Sequence, residues 1–77
     1  MAITVKYFAG LREQLGRAED AVEYENGMTV SQAWKKANND KPMPDSLMVA
    51  VNMRYTKSDA ALSDGDEVAF FPVVTGG

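Results

Sequence analysis

Two kinds of periodicity alternate along the chain, and together they predict four main strands, one short strand and two helices. Hydrophobic residues at every second position, which are typical of strands with one buried face, occur over residues 2–8, 19–25 and 47–52. Residues 53–57 are predicted to form a short edge strand. The last strand, residues 68–71, is hydrophobic at every position and therefore on both of its faces.

Helical spacing appears in two places. A pair of leucines four residues apart, followed by Gly16, predicts a short helix over residues 9–15. Thr29 and Gln32 have the spacing of a capping box, and they predict the start of a longer helix that ends near the Asn-Asn-Asp-Lys-Pro run. Trp34 lies on the hydrophobic side of this helix, so we expect it in the core rather than in a binding site.

The order of these elements predicts a single α+β domain over residues 1–77: a mixed sheet of about five strands with one long helix packed on one face. Because a helix covers only one face of a sheet, the second hydrophobic face of the last strand is either covered by loops or open to a partner. We favour the open face. The candidate docking residues are Phe71, Phe8, Met48 and Tyr55, and the register of the strands decides which side of the sheet they occupy.

The charge and the missing residue types exclude several classes of function. The sequence has 11 acidic and 8 basic residues and a net charge of -3, which argues against binding to nucleic acid. It has no Cys and no His, which excludes thiolate or imidazole metal sites, disulfides and cysteine nucleophiles. We expect no metal site at Asp64, Asp66 and Glu67 either, because they lack the spacing of a calcium loop and surround a predicted turn.

The sequence shows no signal sequence and no membrane-length hydrophobic run, which predicts a soluble, cytoplasmic protein.

The end of the chain predicts an extended, flexible tail over residues 72–77. Pro72 cannot continue a central ladder, the β-branched residues that follow favour an extended backbone, and the last two residues have no side chain. The tail residues are Pro72, Val73, Val74, Thr75, Gly76 and Gly77. Fully extended, they reach at most roughly 20 Å. We therefore predict that the tail carries its terminal carboxylate into the narrow active site of another protein; a cloning remnant or a frayed end is the alternative.

Along its whole length, the sequence resembles the small subunits of molybdopterin synthase. These proteins are sulfur carriers with the ubiquitin-like β-grasp fold. The matching segments are Tyr7-Phe8-Ala9, Leu11-Arg12-Glu13 with Gly16, Val49-Ala50-Val51-Asn52, residues 62–72 and Val74-Thr75-Gly76-Gly77. The segment from residue 62 to the end is the most specific. Val73 departs from the family pattern, which more often has a second proline there.

The resemblance implies a chemistry centred on Gly77. An ATP-dependent adenylyltransferase similar to ubiquitin-activating enzymes would adenylate the terminal carboxylate, and a sulfur donor protein would then convert it into a thiocarboxylate. The tail would next enter the large subunit of molybdopterin synthase and donate sulfur to cyclic pyranopterin monophosphate, which forms the molybdopterin dithiolene. The family also implies a heterotetramer, a small subunit that is not catalytic alone, and no tightly bound cofactor, since ATP is used by the activating partner.

Other functions remain open at this point. A sulfur carrier for thiazole synthesis in the thiamine pathway has the same fold and the same Gly-Gly end. A ubiquitin-like protein modifier would instead pass the activated Gly77 to a lysine amine. A plain binding module with an irrelevant tail would be unaffected by deletion of Gly76 and Gly77.

Overall fold

The computed structural model describes residues 1–72 and contains each of the predicted elements. In chain order these are strand β1 (Ala2–Tyr7), helix α1 (Ala9–Leu15), strand β2 (Glu19–Glu23), helix α2 (Val30–Ala37), and strands β3 (Leu47–Val51), β4 (Arg54–Thr56) and β5 (Glu67–Pro72). The observed ends lie within a few residues of the predicted ones. Neither helix in the described part of the chain has the length and hydrophobicity needed to span a bilayer.

The five strands form one mixed sheet in the order β2-β1-β5-β3-β4. Strand β5 lies in its centre. It runs parallel to β1, with Val68 opposite Val5, and antiparallel to β3, with Phe70 opposite Val49. The two outer pairs, β1 with β2 and β3 with β4, are antiparallel. The strand that precedes the tail is therefore paired on both sides.

Local sequence signals fix the ends of the helices. At the start of α2, the Thr29 side chain accepts a hydrogen bond from the backbone N–H of Gln32, and the Gln32 side chain accepts one from the backbone N–H of Thr29. This is the predicted capping box. Helix α1 ends at Gly16, whose φ of 72° lies in the left-handed region that favours glycine.

The prediction of one long helix is slightly off, because two helices of similar length pack on the sheet. Helix α2 has 8 residues and α1 has 7. Helix α2 ends at Ala37 because Asn39 and Asp40 adopt left-handed conformations, with φ values of 55° and 62°. The Asn38 side chain donates a hydrogen bond back to the Trp34 carbonyl oxygen, which satisfies one of the acceptors at the end of the helix.

The core lies between the helices and one face of the sheet. Trp34 is at its centre, with its ring centroid 5.0 Å from that of Phe70 and 6.0 Å from that of Tyr7, both edge to face. This confirms that Trp34 is a core residue. The buried side chains that form this core cluster are Ile3, Val5, Tyr7, Leu11, Val22, Met28, Val30, Ala33, Trp34, Val49, Leu62, Val68 and Phe70. Burying a side chain as large as Phe70 contributes about 1.5–3 kcal/mol, so these residues hold the layers together.

Candidate partner-binding face and tail anchor

The tail is attached to the central strand of the sheet. Pro72, predicted as the first residue of the tail, is the last residue of β5 and lies opposite Leu47 of β3. Pro72 has no backbone N–H to donate to a ladder, and its place is the last residue of β5. The other tail residues, Val73, Val74, Thr75, Gly76 and Gly77, lie outside the described residues, and their roles stay predictions.

The structure places all four candidate docking residues on the face of the sheet that the helices do not cover. Phe71 is in the middle, with its ring centroid 6.5 Å from that of Phe8 and 5.8 Å from that of Tyr55. Met48 lies directly opposite Phe71 on β3. We call Phe8, Met48, Tyr55 and Phe71 the aromatic patch. The structure thus resolves their register, while their contact with a partner stays a prediction.

The aromatic patch is open to solvent. Tyr55 is 73% exposed, Phe8 45% and Met48 38%, and Phe71 is half-buried between them. These values contrast with Phe70, the neighbour of Phe71 on the opposite face, which is fully buried. A contiguous group of exposed hydrophobic side chains on a sheet face is typical of a surface that binds another protein.

An ion pair borders the patch on the side of β1. The Lys6 Nζ atom lies 2.9 Å from the Glu67 Oε1 atom, and both side chains are partly exposed. The hydrogen bond and the negative charge of Glu67 raise the pKa of Lys6 above its ordinary value. An exposed ion pair contributes little to stability. It places one positive and one negative charge beside the patch.

The acidic run before β5 forms the predicted turn. Gly65 has a φ of 87°, and the Asp66 side chain accepts hydrogen bonds from the Ser63 backbone N–H (2.8 Å) and from the Asn52 amide (2.9 Å). These donors occupy both Asp66 carboxylate oxygens. Within residues 1–72, no group of three or more Asp and Glu side chains is placed to hold a metal ion.

Sequence reasoning missed a polar cluster that joins three elements beneath the end of α2. The Tyr7 hydroxyl donates to Asp20 Oδ2 (3.0 Å) and accepts from the Asn38 amide (3.3 Å), and Arg17 donates to both Asp20 and Asn38. Burial raises the pKa of Tyr7 above its ordinary value of 10.0. The sequence offered one signal for this cluster, a tyrosine on the buried side of β1. A buried hydroxyl needs hydrogen-bond partners, so polar residues could have been expected next to it. The cluster positions β1, β2 and α2; it has no direct part in the patch.

Comparison with known proteins gives a family match over almost the whole sequence. The ThiS family matches residues 5–77, a span that includes the tail. The chain is 40% identical to the molybdopterin synthase sulfur carrier subunit of Escherichia coli (strain K12), over 97% of this chain and 99% of the relative. It is 34% identical to the protein of the same name from Haemophilus influenzae, again over 97% and 99%.

Solved structures share the fold. The chain is similar to small archaeal modifier protein 1 of Haloferax volcanii, with a TM-score of 0.80, 26% identity and 100% of both chains covered. It is also similar to a putative molybdopterin converting factor subunit 1 from Pyrococcus furiosus, with a TM-score of 0.76, 28% identity and 96% and 99% of the two chains covered. At 17% identity, a chain from the complex of subunits 1 and 2 of the Helicobacter pylori molybdopterin-converting factor matches in fold alone, with a TM-score of 0.64 over 100% of both chains.

The sheet order and the helices on one face are those of the ubiquitin-like β-grasp fold of these neighbours. Relatives that match along nearly their whole length carry a single name, molybdopterin synthase sulfur carrier subunit. The chain therefore belongs to the ThiS family, with molybdopterin synthase sulfur carrier subunits among its relatives.

Proposed function

We propose that the chain is the sulfur-carrier subunit of a molybdopterin synthase and that Gly77 carries the sulfur. The observation that carries this proposal is similarity from end to end: the family match reaches Gly77, and relatives 34–40% identical share one name. The chain itself holds no tightly bound cofactor, and ATP is used by its activating partner. That use of ATP fits a cytoplasmic location.

The proposed chemistry has three steps. The Gly77 carboxylate attacks the α-phosphate of ATP on an adenylyltransferase, which releases pyrophosphate and forms an acyl-adenylate. A sulfur donor protein then supplies the sulfur that displaces AMP from the acyl carbon and leaves a thiocarboxylate. On the large synthase subunit, the terminal sulfur attacks cyclic pyranopterin monophosphate and forms a carbon–sulfur bond to it. Water then cleaves the bond between that sulfur and the Gly77 acyl carbon, which leaves the sulfur on the pterin for the dithiolene and regenerates the Gly77 carboxylate.

The described residues support a carrier in which the folded body docks on the partner and the tail carries the sulfur. Extending a short tail into a partner loses backbone entropy of about 1–2 kcal/mol for each residue that is fixed, so a separate docking surface is needed. The aromatic patch supplies such a surface on the same strand that bears the tail, since Phe71 immediately precedes Pro72. Docking through the patch therefore brings the start of the tail to a fixed place on the partner.

Sulfur loading tests the proposal directly. The chain is incubated with an adenylyltransferase of this class, ATP and a sulfur donor, and its intact mass is measured. We expect the mass change of one oxygen-to-sulfur exchange, localised to Gly77 by fragmentation. Deletion of Gly77 should abolish the exchange and leave thermal unfolding unchanged, because the core residues lie between Ile3 and Phe70. The variant Thr75→Ser, which keeps the length of the tail, is the matched control and should load normally.

The same assay separates the alternatives. The similarity to small archaeal modifier protein 1 favours a protein modifier as the second candidate. If only lysine-linked conjugates form, the modifier is correct and the carrier proposal is wrong. A loaded chain that supports thiazole formation, but not dithiolene formation with a large subunit and the pterin precursor, would identify the thiamine-pathway carrier. Normal dithiolene formation by the chain that lacks Gly77 would exclude all of these roles for the tail.

A further inference from the structure

An open groove lies on the helix side of the sheet. Its volume is about 780 Å³. Helix α1 contributes Leu11 and Leu15 to its lining, and the segment between α2 and β3 forms the other wall. Leu47 and Pro72, which lie opposite each other on β3 and β5, also line it. The groove therefore reaches the end of β5, where the tail begins.

The groove and the aromatic patch are on opposite faces of the sheet. Successive side chains of a strand point to opposite faces, so Pro72 shares the face of the buried Phe70, whereas Phe71 belongs to the patch. Both surfaces thus lie beside the last residues of β5. A protein bound to one of them leaves the other open.

The described lining of the groove combines hydrophobic side chains with positive charge. Its charged residues are Arg17 and Lys41, and no Asp or Glu is among them, although the whole chain has 11 acidic and 8 basic residues. Arg17 is oriented by hydrogen bonds to Asp20 and Asn38. Lys41 is exposed and takes part in none of the ion pairs found within residues 1–72. The groove therefore complements a segment that carries both hydrophobic side chains and a carboxylate.

The proposed loading step brings two other proteins to Gly77 at the same time, because the sulfur displaces AMP from an acyl-adenylate that the adenylyltransferase holds. That enzyme also has to fix the tail, so it needs the aromatic patch as its docking surface. The sulfur donor then needs a surface that the patch-bound enzyme leaves open and from which the tail is within reach. The groove meets both conditions: it starts at Pro72, and residues 72–77 span at most about 20 Å.

We propose that this groove docks the sulfur donor protein, through a segment of the donor that has hydrophobic side chains and an Asp or Glu opposite Lys41. The inference rests on the proposed function and adds to it the docking site of one partner. It makes the loading complex a ternary one, with the adenylyltransferase on the aromatic patch and the donor on the helix side. Neither partner has to leave before the other binds.

Sulfur loading from two different donors tests the inference. The hydrosulfide ion attacks the acyl carbon directly and releases AMP, so sodium sulfide loads Gly77 without a docked protein. In Lys41→Glu, we expect the KM for the donor protein to rise about tenfold, because an attraction becomes a repulsion. Lys41→Gln only removes the charge and should raise this KM about threefold. Both variants should load from sodium sulfide at the wild-type rate.

Two further variants control for net charge and for docking on the patch. Lys57→Glu makes the same charge change at an exposed lysine outside the groove, and its KM for the donor protein should equal that of the wild type. Tyr55→Ala weakens docking of the adenylyltransferase on the patch, so it should slow loading from the donor protein and from sodium sulfide alike. Only the Lys41 variants should separate the two donors.

Three results would overturn the inference. The first is an unchanged KM for the donor protein in Lys41→Glu. The second is equal slowing of loading from both donors in this variant, because Lys41 would then act at the adenylation step. The third is self-association in sedimentation velocity that Lys41→Glu abolishes, which would make a second copy the occupant of the groove. A wild-type chain that loads from neither donor contradicts the proposed function itself, and the inference with it.

Discussion

Tyr55 is the most exposed member of the aromatic patch, so its effect on binding can be measured almost separately from its effect on folding. It is 73% exposed and contacts Phe71 at one edge of the patch. We expect Tyr55→Ala to weaken binding of the large synthase subunit by about tenfold, since buried aromatic residues are often the main contributors to interface affinity. The free energy of unfolding should change by less than about 0.5 kcal/mol. Titration calorimetry and urea denaturation measure the two quantities.

Met53 provides the control for this prediction. It is a large hydrophobic residue that is 91% exposed, but it lies in the turn between β3 and β4, outside the patch. Its φ of 70° is one that asparagine tolerates, so Met53→Asn removes an exposed hydrophobic side chain without new backbone strain. We expect its affinity for the large subunit to equal that of the wild type. Equal affinities for Tyr55→Ala and Met53→Asn would place the binding surface elsewhere.

At the residue scale, the sequence predicted some roles and left others open for clear reasons. Trp34 could be assigned to the core because a helical spacing of hydrophobic residues leaves only one buried side. Phe71 could not be assigned to a face, because both faces of β5 are hydrophobic and a shift of one residue would exchange them. The contact of Arg17 with Asn38 joins residues 21 positions apart, and only the tertiary structure brings them together.

Two glycines of helix α1 and its C-terminal cap, Gly10 and Gly16, have opposite roles and give a matched pair of substitutions. Gly16 ends the helix with a φ of 72°, whereas Gly10 lies inside the helix and its φ is not positive. A Cβ atom at either position would meet no atom within 4 Å, so crowding does not distinguish the two sites. We expect Gly16→Ala to destabilise the domain by about 1–2 kcal/mol because alanine disfavours the left-handed conformation. Gly10→Ala should stabilise it by about 0.4–1 kcal/mol because it restricts the unfolded chain.

Urea denaturation of the two variants, monitored through the fluorescence of Trp34, tests this prediction. The two substitutions add the same methyl group, so a difference in sign between them isolates the backbone conformation as the cause. The same sign in both variants would contradict the assignment of Gly16 as the left-handed end of α1. The sequence predicted this helix end well, since a glycine after a leucine pair is a local signal that needs no tertiary information.

At the scale of the whole molecule, the stability of the domain should fall at high pH. The folded structure raises the pKa of Tyr7 above 10.0, mainly through burial, and that of Lys6 above 10.5, mainly through its hydrogen bond to Glu67. At pH values below these, both groups are protonated in the folded and unfolded chains, and their contribution to stability is complete. As the pH rises, the unfolded chain loses these protons first, so the free energy of unfolding decreases until the folded groups also titrate.

Denaturation measured between about pH 8 and pH 11.5 tests this dependence. The wild type should lose stability above about pH 10, and Tyr7→Phe should lose less over the same range because one of the two groups is gone. The variant will be less stable at neutral pH, since it leaves the Asn38 amide without the Tyr7 hydroxyl. The slope against pH, rather than the absolute value, is therefore the quantity to compare. Equal slopes would contradict a role for Tyr7.

The periodicity of hydrophobic residues was enough to predict the order of the elements along the chain, and with it the α+β class. Each strand or helix has its own pattern of hydrophobic residues within a few positions, so no long-range information is needed. The order of strands in the sheet did not, since parallel pairing of β1 with β5 joins Val5 to Val68 across most of the chain. The aromatic patch depends on that pairing: Phe8, Met48 and Tyr55 come from three separate segments and meet only around Phe71.

The central place of β5 also determines how the domain responds to force. A pull on the tail acts along β5, whose two neighbours are β1 and β3. Such a pull loads both ladders in shear, so many hydrogen bonds must break together instead of one after another. A strand at the edge of the sheet would unzip from a single neighbour. A partner that pulls on the tail therefore works against two ladders at once.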